Sequence, residues 1–275
     1  MPRLRSSEWV LLAYFAYVAV ISPFFISPWR PLALAVVIGA VLLVLARRES
    51  WLRDVFPLIL TLIAFREMNW FTPPVHNHHL EQTWIVWDRA LLDNYGMRAA
   101  IESAGSLAPF FFELCYALVY AVAPVALWAL FANGRRDRLN HFWLAYLAGT
   151  LGAYALFPYF PSEPPRTTFA GQDLPHIVTF LRRFNLWIVG HYGIHSSVFP
   201  SAHVSSAWSA AWGLLETLPE KRWIGRTMAA YGLAVAVATI YGRYHYAIDT
   251  VAGIAVSLLG LAAVKLLSYR NRRGA

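Results

Sequence analysis

Long apolar stretches separated by short basic clusters constrain this chain more than any other feature of its sequence. Only 14% of its residues are charged, whereas soluble domains carry about 25%. An apolar helix of about 20 residues crosses the hydrocarbon core of a bilayer, where every backbone polar group needs a partner within the protein. The sequence therefore predicts an all-α, polytopic transmembrane helical bundle with about six to eight spans.

Eight segments qualify as candidate spans. Their approximate bounds are 9–27, 31–46, 53–71, 107–131, 141–160, 199–218, 224–241 and 247–268. The second is short and the third contains Pro57, Arg66 and Glu67, so the expected number of membrane spans is six to eight. Arg66 and Glu67 either pair with each other or line a lumen. The run that starts at Trp9 lacks a small-residue cleavage pattern and is interpreted as a retained span.

The basic residues favour one side of the predicted bundle. With the N-terminus in the cytoplasm, 15 of the 23 Lys and Arg fall in cytoplasmic segments, as the positive-inside rule requires. This distribution accounts for the net charge of +8 without a nucleic-acid partner. We expect an integral membrane protein whose partner is the lipid bilayer, and a bacterial inner membrane is the default location for so compact a chain.

Two long non-cytoplasmic segments, 72–106 and 161–198, contain amphipathic stretches. One predicted apolar face carries Leu80, Trp84, Trp87 and Leu91, and the other carries Ile177, Leu181, Phe184 and Ile188, with Arg182 and Arg183 turned away. Both stretches are predicted to be helices that lie in the membrane interface.

Two histidines are predicted to meet at one end of the bundle. His203 lies in "FPSAHVSSAW" at the top of the sixth span, and His245 lies in "YGRYHYAIDTVAG" at the top of the eighth. The seventh span only returns the chain from the cytoplasmic face. Both imidazoles should therefore emerge at the same depth on the non-cytoplasmic side.

The residue types around these histidines suit phosphoester chemistry. Asp249 follows His245 by four residues, which places the two side chains on one face of a helix. A carboxylate that accepts a hydrogen bond from one imidazole nitrogen fixes the tautomer and leaves the other nitrogen as a nucleophile. His203 would then be the acid that protonates a leaving oxygen.

An anion site is expected between the two histidines. Pro200 suits the first turn of a helix, and the free N–H groups of such a turn bind anions with help from the helix dipole. Ser201 adds a hydroxyl. Arg166, in "PSEPPR", and Arg243 supply guanidinium groups, which bind phosphate in a bidentate manner.

Each of these features alone has a structural interpretation. A histidine at a span end can be a packing residue, a His–Asp pair can be a structural hydrogen bond, and arginines can extend towards lipid headgroups. Their occurrence together on the non-cytoplasmic side of the predicted bundle favours a functional site over these structural interpretations.

Other candidates are weaker. The "HNHH" stretch at 76–79, with Glu81 nearby, fits a solvated loop better than a metal site. His191 and His195 are expected to shape the mouth of the site. Gly253 and Gly260 are expected to allow close helix packing.

Three stretches resemble motifs of the type 2 phosphatidic acid phosphatase superfamily. "PSAH" at 200–203 resembles its P-S-x-H motif, and 241–253 resembles its last motif. "PSEPPR" at 161–166 resembles the first motif of the branch related to inositol phosphorylceramide synthases. The resemblance implies three segments, namely 1–106 with N-terminal spans and an interfacial segment, 107–268 as a catalytic bundle, and 269–275 as a basic cytoplasmic tail.

The resemblance also implies a mechanism that needs neither a metal nor a cofactor. It assigns His245 as the nucleophile that forms a phosphohistidine, Asp249 as its orienting carboxylate and His203 as the general acid. The motifs depart from the usual pattern at Ala202, where glycine is common, and at Thr239, where arginine is common. No lysine precedes "PPR", and these departures favour a head-group transferase over a simple lipid phosphatase.

The expected activity is therefore that of a membrane lipid phosphatase or phosphotransferase. The acceptor is either water or a hydroxyl group, and a phospho-head-group such as phosphoinositol could be passed to a lipid. The alternative is a lipid-phosphate carrier or membrane scaffold without catalysis. The His–Asp pair argues against that alternative, because binding alone does not require it.

Overall fold

A computed structural model describes residues 3–72, 75, 77–194, 196 and 198–273, except the side chains of 268 and 270–273. These residues form thirteen α-helices joined by short 3₁₀ and π turns, and no strand occurs among them. The helices are α1 (Ser6–Ile21), α2 (Trp29–Leu45), α3 (Trp51–Met68), α4 (His79–Arg89), α5 (Met97–Glu102), α6 (Leu107–Leu118), α7 (Val122–Ala132), α8 (Leu139–Leu156), α9 (Pro165–Thr168), α10 (Phe180–Tyr192), α11 (Ala202–Thr217), α12 (Arg222–Tyr241) and α13 (Ala247–Arg273).

The all-α membrane bundle is confirmed. Four helical segments are long and apolar enough to cross a membrane, and Trp29–Leu45 is a shorter apolar helix. The four are Ser6–Phe24, Leu107–Ala132, Pro219–Tyr241 and Ala247–Leu267. Helices α3, α8 and α11 occupy the other three predicted spans, so the count of six to eight stays a prediction. Helix α13 continues to Arg273, so the predicted tail begins as helix.

The fourth predicted span, 107–131, is broken in the middle. Helix α6 ends at Leu118, and a 3₁₀ turn over Val119–Ala121 precedes α7. Pro124 explains the break, because it has no N–H to donate to the carbonyl of Tyr120 and its ring clashes with that carbonyl. The break leaves Tyr120 beside His203.

Helix α10 turns a polar face inward. Arg182 and Asn185 are buried, whereas Phe180 and Trp187 are exposed. The prediction that Arg182 faces away is therefore wrong, although Arg183 is exposed as expected. Lipid rather than water surrounds a membrane bundle, so apolar side chains are favoured outside and polar groups find their partners inside.

Helix α4 follows the same rule. Leu80 and Trp87 are exposed, as a face directed at acyl chains requires, but Trp84 packs inward against Phe199. Glu81 and Asp88 are both fully buried. The inward face of α4 therefore brings two carboxylates into the bundle.

An ion-pair network joins the N-terminal helices to the rest of the bundle. Arg53 of α3 pairs with Glu8 of α1 at 2.6 Å, and Asp54 pairs with Arg136 at 2.6 Å. The indole of Trp143 donates to the carbonyl of Asp54 at 2.9 Å. Helix α3 is thereby held alongside α8.

Arg66 and Glu67 do not pair with each other in the described part of the chain. Arg66 donates to the carbonyl of Tyr192 at 2.8 Å, and the Glu67 side chain is buried. Arg66 therefore links α3 to the end of α10.

Helix α11 lies at the centre and packs against α8, α12 and α13. Its N-terminal end meets α13 very closely, since the Ser201 N–H donates to the carbonyl of Asp249 at 2.9 Å. A Cβ at Gly253 would come within 2.6 Å of the Ser201 carbonyl oxygen, and one at Gly260 within 2.8 Å of the Gly149 nitrogen. The expected packing role of Gly253 and Gly260 is confirmed.

Replacement of Gly253 by alanine should push α13 away from α11. The new methyl group would overlap a backbone oxygen, which cannot move as a flexible side chain can. Overpacking of this kind costs typically about 1–3 kcal/mol. We expect a lower midpoint of thermal unfolding for the purified protein in detergent.

Gly190→Ala is the matched control for this experiment. Gly190 also lies in a helix, but apart from its chain neighbours and its own helix backbone no heavy atom lies within 4 Å of the position its Cβ would take. Its replacement should leave the midpoint unchanged or raise it, because alanine favours helix over glycine. Equal midpoints for G253A and G190A would contradict the proposed contact.

Candidate active site

The two histidines predicted to converge lie in contact. Nδ1 of His203 is 3.3 Å from Nε2 of His245. His203 is the second residue of α11, and His245 belongs to the turn between α12 and α13. The convergence expected from topology is thus confirmed.

Asp249 approaches His245 by a different route from the one predicted. His245 precedes α13, so the two residues do not share a helical face. Asp249 is the third residue of α13, and its Oδ2 accepts a hydrogen bond from the Tyr246 N–H at 2.9 Å, as an acidic residue at this position of a helix often does. The same oxygen lies 3.4 Å from Nδ1 of His245, which leaves Nε2 directed at His203.

Arg243 does not reach the space around the histidines. Its backbone is left-handed, with φ of 61°, and its buried guanidinium pairs with Asp88 of α4 at 2.5 Å. The other oxygen of Asp88 accepts from the Ala247 N–H at 2.8 Å. Asp88 therefore holds the turn that carries His245 from both sides.

Arg166 lies where a phosphate ligand was expected. Its backbone N–H donates to the carbonyl of Arg243 at 3.3 Å, and its Nη1 donates to the carbonyl of Tyr244 at 3.4 Å. Its guanidinium carbon lies 5.6 Å from the centre of the Tyr244 ring. Burial lowers the pKa of Arg166.

Helix α4 also holds the loop that precedes Arg166. Glu81 accepts a hydrogen bond from the Glu163 N–H at 2.9 Å. One helix therefore contacts both the "PSEPPR" loop, through Glu81, and the His245 turn, through Asp88.

Ser201 and Pro200 take structural positions. Helix α11 begins at Ala202, so Pro200 precedes its first turn and Ser201 is its N-cap. The fully buried hydroxyl of Ser201 accepts from the Val204 N–H at 3.4 Å. The structure therefore does not bring this hydroxyl to the histidines. Ala202 and His203 are the residues of this first turn that border the cleft described below.

A buried network around Tyr244 supports the site from α6. The Tyr244 ring stacks on Tyr116 with centroids 3.7 Å apart, and its hydroxyl donates to Glu113 at 2.7 Å. Glu113 also accepts from Arg182 at 2.9 Å and from Asn185 at 2.7 Å.

Sequence reasoning did not identify Glu113, Tyr244, Glu81 or Asp88 as parts of this assembly. Glu113 is an ionisable residue inside an apolar run, which is the same signal that singled out Arg66 and Glu67. Asp88 offers only its position on the polar face of a predicted amphipathic helix.

The two histidines border a cleft. Its lining comprises Phe65, Tyr116, Tyr120, Phe157, Arg166, Val189, Gly193, Ile194, Val198, Ala202, His203, Tyr244 and His245. Arg166 is the cation among these lining residues. The cleft therefore combines one guanidinium, two imidazoles and tyrosine rings.

The environment of His245 favours a neutral imidazole. Burial lowers its pKa well below 6.5, and the nearby groups His203 and Arg166 lower that pKa further. A neutral ring is the form in which Nε2 has a free lone pair. His245 can therefore act as a nucleophile at neutral pH.

The remaining histidines that the structure describes form no recognisable metal site. Among the residues that the structure describes, no group of three or more His, Cys, Asp or Glu could hold a metal ion. His78 lies 3.4 Å from Glu81, and the exposed ring of His191 contacts the carbonyl of Trp187. His76 and His195 lie outside the described residues.

Comparison with known families agrees with the motifs. The family model described as PAP2 superfamily matches residues 83–263, more than half of the chain, and this range includes every predicted site residue. The match starts within α4, upstream of the expected boundary at 107, and it does not resolve the branch. No curated protein and no solved structure matches the sequence at a significant level. The chain therefore belongs to the PAP2 superfamily, whose members are phosphoesterases.

Proposed function

We propose that this protein is a membrane phosphotransferase that acts on a lipid phosphate ester through a phosphohistidine at His245. The observation that carries the proposal is the 3.3 Å contact between His203 and Nε2 of His245, with Asp249 behind the other ring nitrogen. A site that only binds phosphate needs cations and amides, but it does not need an oriented nucleophile.

The reaction would proceed in two balanced steps. Nε2 of His245 attacks phosphorus, the bond to the ester oxygen breaks, and that oxygen takes a proton from His203 as it leaves. The acceptor hydroxyl then gives its proton to His203 as it attacks phosphorus, and the P–N electron pair returns to His245. Asp249 stabilises the positive charge that His245 gains during the first step.

Substrate binding would separate the two rings. A distance of 3.3 Å between ring nitrogens leaves no room for a phosphorus atom with its oxygens. His203 is half-buried and borders the cleft, whereas His245 is fixed by the turn that Asp88 holds. We therefore assign the movement to His203.

The charge of the cleft supports a phosphodiester donor. Arg166 is the cation among the lining residues, and the Arg243 guanidinium is committed to Asp88. One guanidinium balances the single charge of a phosphodiester, whereas a phosphomonoester carries nearly two charges at neutral pH. This supports transfer of a phospho-head-group to a hydroxyl, with water as the competing acceptor. No step of this scheme requires a metal ion.

The distribution of charge supports a site on the non-cytoplasmic face. The ion-pair network of Arg53, Asp54 and Arg136 lies at the end of the bundle opposite the histidines, in the segments that carry the basic excess. Helices α4 and α10 expose apolar side chains near the site and would border a lateral entrance for lipid. A bacterial inner membrane remains the proposed location.

Replacement of His245 by alanine should lower turnover of lipid phosphodiesters by more than about 1,000-fold, because the nucleophile is lost. A lipid labelled with radioactive phosphorus should leave acid-labile label on the wild-type protein and none on H245A. His141, near the start of α8 and not among the residues that line the cleft, provides the control variant H141A, which should retain both signals. Wild-type protein that binds the lipid without acquiring label would favour a carrier.

Replacement of Asp249 by asparagine should reduce turnover less than H245A does. The side chain keeps its size, but the imidazole loses the carboxylate that selects its tautomer. We expect a loss of about 100-fold, within the range for general acid–base contributions. Single-turnover kinetics should show slower formation of the labelled intermediate, and an unchanged rate would contradict the orienting role.

The rate should fall at acidic pH, because His245 must be neutral to attack phosphorus; a separate alkaline limb is expected, because His203 must carry a proton to act as the acid. Because the pKa of His245 lies below 6.5, the ring stays neutral as the pH drops from 8 to 6.5, and it protonates only below that range. The acidic limb of kcat/KM should therefore lie below pH 6.5. Initial rates between about pH 5 and 8 would test this, and an acidic limb centred at 6.5 or above would contradict the assigned burial effect.

A further inference from the structure

A second cleft begins at His203 and runs into the bundle. It shares Phe65, Tyr120, Ala202 and His203 with the first cleft. Its other lining residues are Thr61, Leu62, Val119, Tyr146, Tyr154 and Ser206. We propose that this second cleft binds the hydrocarbon chain of the lipid alcohol that leaves or attacks phosphorus, and that α3 sets the preferred chain length.

The direction of the reaction supports this assignment, which rests on the proposed function. When His245 attacks phosphorus in line, the ester oxygen that leaves lies on the opposite side, next to His203. The alcohol must then continue beyond His203, where the second cleft begins. In a double displacement the acceptor takes the place of the leaving alcohol, so both use the same cleft.

The depth of the second cleft suits a chain. Tyr154 and Tyr146 both line it along α8, and eight residues of helix span about 12 Å. Phe65 and Thr61 line it along α3 and are one helical turn apart. The cleft therefore runs parallel to the helices, as an acyl chain does in a bilayer.

Part of the wall of the second cleft suits a hydrocarbon chain. The hydroxyl of Thr61 donates to the carbonyl of Pro57 at 2.7 Å, and that of Ser206 donates to the carbonyl of His203 at 3.0 Å. These donors are already used within their own helices. Leu62, Val119 and Ala202 add apolar surface to the wall, and a chain that packs against it would gain from burial.

Helix α3 lies outside the residues matched by the family, 83–263. It nevertheless supplies Thr61, Leu62 and Phe65 to the wall of the second cleft. The side chain of Leu62 is 62% exposed, so it marks the lateral opening of the cleft. The N-terminal helices thus add a chain-binding wall to the reaction site.

The test attaches a bulky chemical group at the lateral opening of the second cleft, after the protein has folded. Leu62→Cys and Ile59→Cys variants are purified and then reacted with a bulky maleimide. Ile59 lies on the same helix and is 45% exposed, but it does not line the cleft. The single native cysteine, Cys115, is buried, so labelling is directed to the new thiols.

The measured quantity is the ratio of kcat/KM for dipalmitoyl over dihexanoyl phosphatidylinositol, with the corresponding phosphatidic acids as a second pair. Labelling of L62C should lower this ratio at least about ten-fold, since the loss of about two buried methylene groups has an effect of that size. Labelling of I59C should change the ratio by less than about two-fold.

Two outcomes separate the inference from the function on which it rests. If the unlabelled variants and the wild type turn over none of these lipids, the proposed function and this inference are both overturned. If they turn over the lipids but stoichiometric labelling of L62C leaves the ratio unchanged, the chain site is overturned and the proposed function stands.

Discussion

The close contact between the N-terminal ends of α11 and α13 is the constraint on which the site depends. Ser201 donates to the Asp249 carbonyl, and the absence of a side chain at Gly253 lets the two backbones meet. His203 and His245 follow from this contact because each lies within two residues of a helix start. The positive ends of two helix dipoles are also brought to one place, which favours a bound phosphate.

The polar groups behind the site form pairs because the surroundings are apolar. Asp88 receives donors from Arg243 and Ala247, and Glu113 receives them from Arg182 and Tyr244. A buried charge without such partners would cost several kcal/mol. The low dielectric that makes these pairs obligatory also strengthens them. The result is a turn that holds His245 in place.

The sequence predicts those parts of the site that follow from the order of the spans and from helical periodicity. It does not predict the side-chain positions that depend on pairing with a residue distant in sequence. The meeting of His203 and His245 needs only the order of spans. Arg243 was expected to bind phosphate, yet Asp88, distant in sequence, pairs with it. Ser201 was expected to do the same, but the helix starts later than predicted, so its hydroxyl became a cap. The sequence does not predict the burial of Arg182, because a hydropathy pattern does not show whether the apolar face of a helix points to the protein interior or to surrounding lipid.

The division of the chain between chemistry and recognition follows from the same geometry. The residues that would react with phosphorus come from the part shared with the family, where small shifts would separate the two histidines. Helix α3 contacts that part through α8 and is anchored at its far end by Asp54. A wall attached in this way can change its side chains without moving the α11–α13 contact. Chain selectivity can therefore vary while the reacting groups stay in place.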